Sequence, residues 1–533
     1  MVYSPRAYLV SAVVATVALQ MQQTTASSLY YTPFTVSDTT EELTDKFPAY
    51  SADVADQDCA ITVEVDPTLP NITTILPEPV DYPDLLANLT TAPTEPVYTK
   101  VGDVVMSEDL PTTDADQDGY FDGPIPATPV IMPTNKTELA LGGHKDCATG
   151  WEDEQAAGKI ENKRRLEANA NQDIAKLEAF FGTKMETNLK KLPTIGVHTP
   201  SPWAGPYWPT YQDSINVVWA EGQPSASEKY ATAFGKDVKT FMDAVSKKNG
   251  VDSQSSRKKC TTANDCEALA NGSGCAIRTG ATSGYCIPRW FGICHAWAPA
   301  AILEAEPNCP VEHNGVTFQP MDIKALVSLV YDGARIGTVF TGARFNGGTD
   351  TTDEYGRHSN NAFRDLNPAY FHIATANMLG NLNATFVVDV TAGPEVWNQP
   401  VRGFKVYEQT TMTPKKAAKT FYGLKTYPWN AAAKKIVYVK TRLSWIVETY
   451  ADGGLVRSGE INKYTTGKYY TYLLELDDAG AIIGGEWVYD SDEGHPDFLW
   501  FGKAKPAANT VTSVGLSYAD VSMLLEKSAA CTA

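Results

Sequence analysis

The chain has 533 residues, 43% of them hydrophobic and 20% charged, with a net charge of −19. That balance fits a folded globular protein rather than a disordered one, and the length allows two or three domains around a large core. No basic excess is available to neutralise phosphates, which argues against nucleic acid as a partner.

At the N-terminus, Arg6 precedes an apolar run, Tyr8 to Leu19, which is followed by the small residues Thr24, Thr25 and Ala26. This reads as a signal peptide over residues 1–26. The run is too short to span a bilayer, and no later run approaches about 20 apolar residues, so a secreted protein without a membrane span is expected. Residues 27–142 hold 21 acidic and 3 basic residues and 14 of the 33 prolines, whereas the chain after Gly142 has 42 acidic and 40 basic residues. A segment of that composition buries little apolar surface and reads as an acidic Pro/Thr-rich pro-region. Asn71, Asn88, Asn135, Asn271 and Asn383 each open an N-x-S/T tripeptide and are candidate glycan sites.

Residues 143–250 read as a helical domain. From Glu152 to about Leu189, apolar Ile160, Leu166, Ile174, Leu177 and Phe180 recur at helical spacing between charges. Residues 251–290 read as a disulfide-rich subdomain, with Cys260, Cys266, Cys275 and Cys286 among Gly and Asn and without the Cys-x-x-Cys spacing of a zinc site. Nine cysteines in an exported chain leave at least one thiol unpaired. If those four pair among themselves and Cys294 is free, Cys59, Cys147, Cys309 and Cys531 remain. Only Cys59 lies in the acidic segment, so full pairing needs a bridge out of that segment, and Cys147 is its nearest partner in sequence.

Residues 291–533 read as a catalytic α+β core. Asp322 caps a helix that Gly333 stops. From about Asn383 onward, alternating runs rich in Val, Tyr, Thr and Trp read as antiparallel strands. The class is therefore α+β, with helices in the N-terminal half and antiparallel sheet in the C-terminal half. Within this core, Arg289-Trp-Phe-Gly-Ile-Cys-His-Ala-Trp sets Cys294 just before an Ala-rich helix. A helix N-terminus stabilises a thiolate, so the thiol is expected to titrate low. Pro299 is tolerated only in a first turn, which puts the start of the regular helix near Trp297 or Ala298. Gly292 is expected to leave the approach to the sulfur open. Trp290 and Trp297 are candidates to exclude water or donate an indole N–H to an oxyanion, or else to fill the core.

Gly-x-Cys followed by an aromatic residue resembles the active-site helix of transglutaminases and papain-like enzymes. More specific is the thirteen-residue string Val396-Trp397-Asn398-Gln399-Pro400-Val401-Arg402-Gly403-Phe404-Lys405-Val406-Tyr407-Glu408. It resembles the elicitor peptide of the calcium-dependent transglutaminases of the oomycete Phytophthora. The resemblance implies an extracellular or cell-wall protein-glutamine gamma-glutamyltransferase that joins glutamine to lysine side chains of protein substrates. It also implies a papain-like or transglutaminase-like core and an exposed peptide recognised by a plant immune receptor. Two rival readings stay open, a papain-like cysteine protease or amidase and a non-catalytic surface protein.

A cysteine nucleophile needs a histidine to share its proton. His372 stands seventeen residues before Asp389, and Asp389-Val390-Thr391 is similar to the Asp-x-Thr of the transglutaminase core. His372 with Asp389 is the expected pair and His358 the alternative. This requires Tyr370 to Asn377 to be extended, although Asn367-Pro368 also opens a capped helix. For calcium, Asp114, Asp116, Asp118 and Asp122 match the oxygen-ligand spacing of a calcium loop, with Ile125 where an EF-hand has Glu. Asp490, Asp492, Glu493 and Asp497 form a second acidic cluster.

Overall fold

The computed structural model describes residues 165–531 except 221, 270–272, 279, 335, 343–365, 391–395 and 492–493, together with the short segments 34–36 and 105–106. The catalytic-core reading resolves into a mixed fold built on one large sheet. Its strands are β1 (Thr338–Gly342), β2 (Val387–Asp389), β3 (Asn398–Met412), β4 (Lys435–Ile446), β5 (Thr465–Leu476), β6 (Ile482–Trp487) and β7 (Phe498–Gly502), in the spatial order β6-β5-β4-β3-β2-β7-β1. Every neighbouring pair along that path is antiparallel. The long strands follow from their β-branched and aromatic alternation, which suits a pleated surface buried on both sides.

Among the helices that flank the sheet are α1 (Arg165–Phe181), α2 (Cys294–Leu303), α3 (Pro320–Gly333), α4 (Pro368–Thr375) and α5 (Tyr518–Ala530). Alternation along the strands divides the core in two. Val387, Phe498, Trp500 and Phe340 point into the cluster formed with α2, α3 and α5. Val388, Leu499, Phe501 and Val339 point the other way, into the cluster formed with α1 and α4. Helices thus stand on both faces and in both halves of the chain. The expectation of helices first and sheet last is too simple, because α4 falls between β1 and β2 and α5 follows the last strand.

The segment Tyr370 to Asn377 is helical, not extended. Asn367 Oδ1 accepts the Ala369 N–H (2.8 Å) and Pro368 occupies the first turn, so the Asn-Pro start signal prevails. All eight residues of α4 are buried, which is why the helix carries no polar face to read in the sequence. The elicitor-like string is not exposed either. It enters and fills the first part of β3, where all of its residues are buried except the half-buried Lys405 and Tyr407. Beyond β2, the free edge of β3 is covered by Ile195–Val197, which pairs antiparallel with Gly403–Lys405.

Two described pieces of the acidic segment add strands to this body. Phe34–Val36 pairs antiparallel with Ala276–Arg278 of the cysteine-rich unit, and Val105–Met106 pairs parallel with Thr410–Thr411 of β3. The bridges are Cys260–Cys275, Cys266–Cys286 and Cys309–Cys531, and Cys294 is free among the described residues. Cys59 and Cys147 lie outside the described residues and are the two cysteines left over. Non-reducing peptide mapping should find them joined, so that cleavage near Gly142 leaves the acidic segment attached; a free Cys59 would refute the tether.

No helix among the described residues is long and apolar enough to cross a membrane. Of the candidate glycan sites only Asn383 is described. It is exposed at a positive φ of 45°, held by Thr199.

Candidate active site

Helix α2 begins at Cys294 itself, with the Ala296 and Trp297 N–H groups both bonded to Ile293 O (3.0 Å each). Pro299 therefore sits inside the helix rather than in its first turn. The glycine two residues before the thiol serves packing rather than an open approach. A Cβ on Gly292 would meet Tyr207 O at 2.5 Å, and the next residue donates its N–H to that same oxygen (2.7 Å).

Cys294 is only 6% exposed. Val396 O lies 3.6 Å away as an acceptor for the thiol, and Asn398 Nδ2 approaches at 3.6 Å as a donor. Trp500 Nε1 donates to Asn398 Oδ1 (2.8 Å), which fixes the orientation of that amide. Two residues of the elicitor-like string, Val396 just before β3 and Asn398 at its start, thus contact the sulfur.

Contrary to the sequence expectation, the thiol does not titrate low. Burial pushes it up to about 11; the Asn398 N–H donors lower it, and the Glu448 and Asp389 carboxylates raise it further. Desolvation outweighs the helix dipole because the charged form loses its water while no cation among the described residues offsets that loss. Iodoacetamide labelling of Cys294 in the intact chain should therefore rise with pH through a midpoint near 11 rather than near 9. A midpoint below 8 would show a cation at the sulfur.

Asp389 closes β2 on the Cys294 side of the sheet, fully buried and in register with Asn398, and its Oδ1 accepts the Trp397 N–H (3.0 Å). The structure brings Cys294 and Asp389 together but does not bring His372 to them. His372 lies on α4, where Nδ1 meets the Tyr472 hydroxyl (2.7 Å) and Tyr472 meets Thr441 (2.9 Å), all in the core on the opposite face of the sheet. With no carboxylate beside it, burial holds the ring neutral with a pKa of about 3.

The other described histidines are engaged elsewhere. His198 bonds Asn383 O, His295 bonds Asp332 (3.0 Å), His313 stacks on Phe234, and His495 bonds Ser491 O and stacks on Trp487. His144 and His358 lie outside the described residues.

Around the thiol the walls are aromatic. Trp297 is fully buried with its Nε1 unpartnered, and Tyr207 packs edge-on against Trp397. Trp290 packs edge-on against Phe291. A Cβ on Gly205 would stand 3.1 Å from Trp297 Nε1, so that glycine leaves space beside a free donor.

Three residues missed by the sequence reading belong here: Asn398, Gln399 and Glu448. The first two were quoted only as part of a recognition peptide. Glu448 is partly exposed and accepts Gln399 Nε2 through Oε1 (2.7 Å). A lone acid just past an apolar strand was its one signal.

The calcium-loop residues Asp114, Asp116, Asp118 and Asp122 lie outside the described residues. Of the second acidic cluster, Asp497 has a described side chain, which is fully buried. Among the described residues the grouped metal-type ligands are Cys260, Cys266 and Cys286, which are already disulfide-bonded.

The family model for the transglutaminase elicitor matches residues 173–531. The crystal structure of the GP42 transglutaminase from Phytophthora sojae is 76% identical, with a TM-score of 0.63. The match covers 68% of this chain and 99% of that one. No curated protein matches the chain. The whole of the large sheet, the buried cysteine and the elicitor-like strand lie within the matched span, and the chain belongs to the transglutaminase elicitor family.

Proposed function

We propose that the protein is a secreted protein-glutamine gamma-glutamyltransferase in which Cys294 is the nucleophile. The observation that carries this reading is the free, gripped thiol at the first residue of α2, set against Asn398 and Asp389 in a chain otherwise built with disulfides. The thiol attacks the side-chain amide of a protein glutamine. Ammonia leaves, a thioester forms, and a lysine amine then displaces the sulfur to give an isopeptide bond. Because the sulfur rests as a neutral thiol, its proton has to be removed during the attack. Trp297 Nε1 is the unpartnered donor suited to the oxyanion. Asp389 is the carboxylate suited to orient a histidine.

The active-site helix backed by a sheet agrees with a papain-like or transglutaminase-like arrangement, and the aromatic walls favour amine over water as the acceptor. Calcium follows from the family, with Asp114, Asp116, Asp118 and Asp122 as its candidate ligands, and no step is routed through a metal. The acidic segment is a pro-region in this reading. Recognition of Val396–Glu408 by a plant immune receptor then requires that strand to leave the sheet, by unfolding or proteolysis. Mass spectrometry of the protein with a glutamine donor peptide tests the reading: an acyl adduct on Cys294 supports it, and hydrolysis of peptide bonds without any amine transfer overturns it in favour of a protease.

A further inference from the structure

We propose that Glu448, with the Gln399 amide beside it, is the acceptor-binding residue that receives the ammonium group of the incoming lysine; this rests on the transglutaminase reading above. An aromatic-walled thioester site has to draw in a cation, and the described surroundings of Cys294 offer two carboxylates and no basic group. Asp389 is fully buried and committed to the Trp397 N–H, whereas Glu448 is partly exposed and so borders both solvent and the site.

Among the described residues no cation answers Glu448. Only Gln399 and its own backbone N–H offset the burial that pushes its pKa up to about 7. Gln399 is 3% exposed and uses Nε2 on Glu448, while the Oε1 of the same amide has no partner. A buried acceptor beside a carboxylate is the complement of a group with several N–H donors and a positive charge. The next residue, Thr449, donates its N–H to Gly205 O (3.4 Å), and Gly205 borders Trp297, which ties this acceptor corner to the wall over the thiol.

The step balances as follows. The ammonium gives one proton to the Glu448 carboxylate, and the free amine adds to the thioester carbonyl. The C–N bond forms as the C–S bond breaks, and the second amine proton goes to the leaving sulfur. The products are the isopeptide, the thiol and the neutral acid.

The test compares two acyl acceptors with one glutamine donor peptide on the full-length protein: a primary alkylammonium, and hydroxylamine, which is uncharged at neutral pH. Glu448→Gln keeps an oxygen for Gln399 Nε2 but removes the charge. The KM for the alkylammonium should rise about tenfold or more, while hydroxylamine transfer stays within about threefold. Glu448→Asp should restore the preference for the cation. Equal losses with both acceptors, or no loss with either, would overturn the assignment. A wild-type protein that forms no thioester overturns the enzyme reading itself, and the acyl adduct measured by mass distinguishes the two failures.

Discussion

Replacing Cys294 with alanine should abolish amine incorporation and remove the acyl adduct formed with a glutamine donor, leaving a folded protein. Loss of the nucleophile in enzymes of this type costs at least about 10³-fold in turnover, because no neighbouring group can form the covalent intermediate. The fold should survive. The thiol's contacts with Val396 O and Asn398 Nδ2 are both long, at 3.6 Å, and alanine removes a single sulfur atom. Asn398 would lose one weak acceptor while keeping its bond from Trp500. The three disulfides of the described body should form unchanged in the variant. Amine incorporation that persists in the variant would sink the nucleophile assignment.

Cys294 stood out in the sequence as the candidate nucleophile because its signals are local: an odd cysteine, a glycine two residues before it and an Ala-rich helix after it. The cysteine-rich unit was legible for the same reason, since four closely spaced cysteines leave few partners. The strands of the last third were legible through their alternation, and β4 and β5 run through the segments that showed it. What failed was long-range. Whether Tyr370 to Asn377 forms strand or helix turned on a capped Asn-Pro start against a spacing argument, and the local cap decided it. The titration of Cys294 depended on Glu448, 154 residues away, and on desolvation that no local pattern reports. The buried state of Val396–Glu408 was equally hidden. Its mixture of Trp, Arg, Lys and Glu resembles a surface, yet it fills a strand with sheet on one side and Ile195–Val197 on the other. Arg402 is 1% exposed there, its head bonded to Thr465.

The second large effect concerns the histidine: with His372 held on the face of the sheet opposite Cys294, the expectation passes to the alternative, His358. His358→Ala should remove turnover, by about 10³-fold or more, while His372→Ala should retain most of the specific activity of whatever protein folds. The five described histidines are bonded or stacked away from Cys294, and of the remaining two only His358 falls within the span matched by the family. His372 has a different task. Removing its ring leaves a hole in the α1/α4 core and strips Tyr472 of a partner, which costs about 2–4 kcal/mol of stability. Its pH signature separates the two roles. A ring held neutral, with a folded pKa of about 3 against an unfolded 6.5, contributes stability that is present above the unfolded value and is lost as pH falls toward 3. The native protein should therefore lose more stability between pH 6.5 and 3 than His372→Ala does, as thermal unfolding across that range would report. Full activity in His358→Ala together with a dead but folded His372→Ala would restore the original pairing. It would also require α4 to move its histidine across the sheet.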